Sequence, residues 1–122
     1  MKKNRYRELP LVYSCSGCSS IAQLANQVAI ELDRTGLAEM SCIAGVGGGV
    51  KTLVKKAKSG RCIISLDGCA LHCVKSCLAQ HDIESDHHLT LTDRGIKKKL
   101  HDSFSETDVS VIKEEIVQLL NV

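Results

Sequence analysis

The run RCIISLDGCALHCVKSCLAQ, residues 61–80, decides how this chain folds. Its first half is β-branched and apolar, with Ile63, Ile64 and Leu66 around a single serine, the composition of a strand covered on both faces. Gly68 then breaks the strand. From about Cys69 to Gln80 the residues Leu71, Val74 and Leu78 recur at helical spacing, which predicts a helix. A buried strand, a glycine and a helix make half of a β–α–β unit, so the flanking segments must supply the rest.

They do. Upstream, LPLVYS (9–14) reads as a strand, and from Ser19 or Ser20 the residues Ile21, Leu24, Ala25, Val28 and Leu32 mark a helix that Gly36 ends. AEMSCIAG (38–45) reads as a second strand, followed by a glycine-rich turn and a helix carrying Leu53, Val54 and Ala57 as far as Gly60. Downstream, HHLTLT (87–92) alternates as a fourth strand. A last helix places Val109, Ile112, Ile116 and Leu119 on one stripe and begins through Ser105-x-x-Asp108. Residues 93–104 fit either a loop or a short extra helix. Strand and helix alternate throughout, which predicts an α/β three-layer sandwich, Rossmann-like, with a parallel sheet of about four strands and right-handed crossovers. The chain shows no repeat and no internal boundary, so residues 1–122 are expected to form a single domain.

Composition narrows the function. Aromatic residues are only 2% of the chain and Trp is absent, so Val, Ile, Leu and Ala must build the core. The net charge is +2 with both signs interspersed, too balanced for a nucleic-acid binder, and IKKKL (96–100) reads as a solvated basic face. The basic start, MKKNRYRELPLVYSC, lacks the roughly 7–15 apolar residues that a signal peptide needs, and no stretch approaches the ~18 of a membrane span. A cytoplasmic protein without membrane contact is the expectation. Protein partners and oligomeric state are left open.

The cysteines carry the chemistry. There are seven, an odd number without an export signal, which favours metal or redox chemistry over a disulfide framework. Parallel α/β sheets place their chemistry at the carboxyl ends of the strands. Cys15 falls at the end of the first strand, Cys18 at the start of the next helix, and Cys42 near the end of the second strand. Cys69 follows the third strand, and Cys73 lies one expected helical turn on. All five map to one edge. Cys62 opens the third strand, roughly 23 Å from Cys69 at ~3.3 Å per residue. Cys77 lies about 12 Å further along the helix axis, too far to share a tetrahedral site. Small core hydrophobe is the reading for these two. A C-x2-C pair and an i, i+4 pair meeting at helix starts give four sulfur donors, the composition of a structural zinc or an iron–sulfur site. Cys42 has three open roles: replacing one of the four, adding a fifth ligand, or packing. Asp67 is suited to capping the following helix or orienting a ligand, and Gly68 to the turn that aims Cys69.

On these residues, from YSCSGCSS through CIAGVGGG to IISLDGCALHCVKSCL, roughly residues 12–78, the chain resembles the DGC domain family, named for the tripeptide Asp67-Gly68-Cys69. The family's cysteines are thought to bind zinc. The resemblance carries that role onto Cys15, Cys18, Cys69 and Cys73, with Cys42 as a further candidate. It implies no established reaction, and the C-terminal third carries no matching motif.

Other chemistries fit less well. A thioredoxin-like enzyme could use Cys15 and Cys18, but the sole proline, Pro10, precedes the motif. The glycine run AGVGGGVKT fails both the dinucleotide fingerprint and the P-loop spacing. His72, rotated about 100° from Cys73 on the expected helix, reads as exposed. Four or five thiolates leave a zinc no open position, which argues against a hydrolytic enzyme. The expected function is non-enzymatic binding of Zn²⁺, as a carrier, a scaffold or a zinc-stapled interaction module.

Overall fold

A computed structural model describes residues 5–121; residues 1–4, which include the basic Lys2 and Lys3, and residue 122 lie outside it. Strand β1 (Leu11–Ser14) is followed by α1 (Ser20–Arg34), β2 (Glu39–Met40), α2 (Ile43–Gly47) and α3 (Lys51–Ala57). Then come β3 (Ile63–Asp67), α4 (Cys73–Ala79), β4 (His87–Thr90), a 3₁₀ turn (Leu91–Arg94) and α5 (Glu106–Leu120). The four strands form one sheet in the order β2-β1-β3-β4, and every pair is parallel.

Every residue of β1 and β3 is buried, because helices cover both faces of the sheet. Strand alternation sorts the side chains into two cores. On one face Val12, Ile64, Leu66 and Leu89 meet Ile21, Leu24 and Val28 of α1, with Val109, Ile112 and Ile116 of α5. On the other, Leu11, Tyr13 and Ile63 meet Val46 of α2, Ala57 of α3, and Val74 and Leu78 of α4. The expected three-layer α/β sandwich is therefore present. Fully burying one such Leu or Ile stabilises the fold by about 1.5–3 kcal/mol, so these two interfaces hold it together. The long helices start at serine caps: Ser19 Oγ accepts from the Ala22 amide at 3.2 Å, and Ser105 Oγ from the Asp108 amide at 3.1 Å. Helix α1 ends at Thr35, where Gly36 takes φ +74°. None of the helices described is long and apolar enough to cross a membrane.

Three elements differ from the sequence reading. The second strand stops at Met40, since Cys42 Sγ accepts from the Gly45 amide at 3.4 Å and starts α2 within the segment read as strand and glycine turn. Small residues let that helix pack closely, with Leu53 lying where a side chain on Gly45 would be. The helix read from Cys69 begins only at Cys73, leaving Leu71 71% exposed in a turn. The last strand stops at Thr90, and the chain runs through the 3₁₀ turn into an irregular segment over 95–105.

Candidate metal centre

Strand order fixes where a site can form. From β1 the chain leaves the carboxyl edge into α1 on one face, while from β3 it leaves into α4 on the opposite face. The diverging connections make the carboxyl edge between β1 and β3 the topological switch point of the sheet, the crevice position at which parallel α/β sheets bind ligands. Segment 15–18 forms one wall and segment 68–73 the other.

Cys15 lies just past β1, its amide donating to Leu66 O at 3.1 Å. Its sulfur accepts from the Gly68 amide at 3.2 Å, across the crevice. Burial pushes this thiol above its ordinary pKa; the Gly68 amide opposes that, while Asp67, Cys73 and Cys69 add to it. Cys69 and Cys73 are thus each within electrostatic reach of Cys15. Cys18 and Cys73 are exposed, and Cys69 is half-buried. Lys98 of the basic run places its Nζ 3.5 Å from Cys69 Sγ. The side-chain amide of Gln23 holds the other wall, donating to Ser16 O at 3.1 Å and to Gly17 O at 2.7 Å.

Gly68 sets the approach of the walls. A Cβ there would come within 3.0 Å of the backbone of Ile21, so only glycine lets this turn press against α1. Cys69 and Cys73 therefore flank a turn instead of sharing a helix face. Cys73 is the first residue of α4, and the residue before it, His72, takes the left-handed conformation at φ +54°. That conformation brings the imidazole to 3.0 Å from Thr90 Oγ1, so His72 is half-buried and hydrogen-bonded, not exposed as its helical position had suggested.

Asp67 is 1% exposed and fully engaged. Its Oδ1 accepts from the Val74 amide at 2.8 Å, and its Oδ2 from the Lys75 amide at 3.2 Å. Oδ2 also meets His88 Nε2 at 2.9 Å. The His72 and His88 rings stand edge to face, 5.0 Å apart at 78°. His88 escaped the sequence reading. The HHLT alternation puts His88 and Thr90 on one face, but the parallel register is what sets them against Ser65 and Asp67.

Of the remaining thiols, Cys77 is within electrostatic reach of Cys73 and Asp67, and burial pushes it above its ordinary pKa. Cys42 caps α2 at the carboxyl end of β2, exposed and close enough to Tyr13 for its charge to act on the phenol. Cys62 precedes β3 at the amino edge, and Cys77 packs its sulfur on Gly47, where a Cβ would come within 2.8 Å. Both are half-buried, less enclosed than core hydrophobes. Among the described residues, no three His, Cys, Asp or Glu side chains stand as a ready-made metal-binding group. The donors that face the crevice are soft thiols, which suit zinc or an iron–sulfur cluster in kind.

The model of the DGC domain family matches residues 11–116. The chain is 56% identical over 112 residues to the anaerobic and virulence modulator AnvM of Pseudomonas aeruginosa, covering 92% of this chain and 86% of that protein. No solved structure matches the chain.

Proposed function

Because this chain belongs to the DGC domain family, we propose that it is a metal-binding modulator that holds Zn²⁺ through cysteine thiolates at the β1–β3 crevice. Cys15, Cys18, Cys69 and Cys73 would be the ligands. The observation that carries this reading is the placement of the Cys15 sulfur against the Gly68 amide, with Cys69 and Cys73 in electrostatic range. In this reading two cysteine motifs far apart in sequence supply ligands from either side of the β1–β3 edge, which the Cys15–Gly68 contact joins. We leave Cys42 outside the set, because its sulfur accepts from the Gly45 amide of its own helix. Bound zinc would replace the thiol protons and tie the two walls together, and the residues themselves would position and shield it. The relative AnvM is named a modulator, which agrees with a regulatory role. A cytoplasmic setting, where thiols stay reduced, belongs to the same reading.

Elemental analysis of protein purified without oxygen, with an absorption spectrum, tests the proposal. One colourless zinc per chain is expected. Visible absorption with bound iron would replace zinc by a cluster. Full zinc occupancy in a Cys69→Ser, Cys73→Ser double variant would overturn the ligand assignment.

A further inference from the structure

Helix α4 begins with a cysteine and has no local cap, since His72 makes no side-chain bond to the helix start. The cap comes from Asp67 at the end of β3, which accepts from the amides of Val74 and Lys75. The direction of Cys73 is therefore set from the sheet. Asp67 is itself held from β4, because His88 Nε2 meets the same Oδ2 that accepts from Lys75. His72 packs edge to face on His88 and is tied by Thr90, so the segment from Cys69 to Cys73 is fastened to β4. The left-handed backbone of His72, unfavourable for a residue with a Cβ, is what turns its ring to these partners.

From this arrangement we propose that His88, acting through Asp67 and supported by His72, is a positioning residue for the cysteine wall of the crevice. His88 holds Asp67, Asp67 holds the first turn of α4, and that turn aims Cys73. The functional consequence rests on the zinc reading, because outer groups that orient ligands commonly tune metal affinity by 10–100-fold.

The test uses the full chain with His88→Ala, His88→Gln and Thr90→Val. Hydrogen exchange at the Val74 and Lys75 amides is measured without metal, and Zn²⁺ affinity by competition with a chromophoric chelator. His88→Ala is expected to speed exchange at both amides and to weaken Zn²⁺ about tenfold or more. His88→Gln, whose amide can still donate to Asp67, should restore most of both. Thr90→Val, a milder change that frees His72, should give a smaller shift in the same direction and serves if His88→Ala fails to fold. Unchanged exchange and affinity in His88→Ala would overturn the proposal. So would His88→Gln as weak as His88→Ala, or faster exchange with unaltered affinity. If the wild-type chain takes up no Zn²⁺, the metal reading fails, while amide exchange and the alkylation rate of Cys73 still decide whether His88 positions the wall.

Discussion

The Gly68 amide donates to the Cys15 sulfur at 3.2 Å across 53 positions of sequence, joining the turn after β3 to the end of β1. That contact requires the turn to lie against Ile21, where a Cβ on residue 68 would come within 3.0 Å of backbone atoms. Gly68→Ala is therefore expected to destabilise the protein by about 1–3 kcal/mol, since backbone cannot yield as a flexible side chain would. Urea denaturation measures the loss. The variant should also bind Zn²⁺ more weakly, because the turn carries Cys69 away from Cys15.

Serine in place of Cys15, Cys18, Cys69 or Cys73 should each lower zinc affinity by more than the 10–100-fold typical of an outer partner. Cys62→Ala and Cys77→Ala should leave it unchanged, as the first sits at the amino edge and the second packs on Gly47. Cys77→Ala should cost about 1 kcal/mol of stability at most. Competition titrations on the six variants separate the groups, and an effect of Cys62 on zinc would contradict the geometry.

Tyr13 is buried, and its hydroxyl faces Ser41 without a hydrogen bond of ordinary geometry. Burial raises its pKa, opposed by Ser41 and Arg61. The folded protein then holds this proton more tightly than the unfolded chain, so the contribution is complete below about pH 10 and is lost as pH rises through the raised value. Tyr13→Phe should be neutral, or stabilising by about 1 kcal/mol, at pH 7, and should reduce the alkaline loss of stability. Melting temperatures from pH 7 to 11 would show this. A large destabilisation at neutral pH would mean that the hydroxyl is satisfied after all.

The two cores lie between the layers, and of the four proposed ligands only Cys15 and Cys69 pack against them. Removing zinc should therefore leave the circular dichroism unchanged and lower the melting point only by the linkage of binding to folding. That linkage is about 4 kcal/mol when free metal exceeds Kd a thousandfold. Unfolding on chelation would instead make the zinc a staple.

The parts of this architecture legible in sequence are those fixed by local pattern. Ile63, Ile64 and Leu66 declared a strand buried on both faces, and the spacing from Ile21 to Leu32 declared α1. Once parallel order was inferred, five cysteines fell on the carboxyl side of the sheet. What escaped depends on partners distant in sequence. Helix α2 forms because Cys42 caps it and its glycines let Leu53 close in. Helix α4 starts late because Asp67 reaches past the intervening turn. His88 gained its meaning only from a strand register that no local period encodes.

Strand β2 has consequences for how this sheet meets other chains. It is two residues long, and the carboxylate of Glu39 is held by Arg61 at 2.9 Å and Lys56 at 3.2 Å. A strand from another molecule would find few backbone groups to pair with there and an ion-paired carboxylate at the margin, the features that blunt edge-to-edge aggregation. Growth by strand addition is thereby discouraged on the β2 side. At the opposite margin, β4 carries the His88 that reaches Asp67, so any chain that augmented the sheet there would do so beside the residues that steady the thiols.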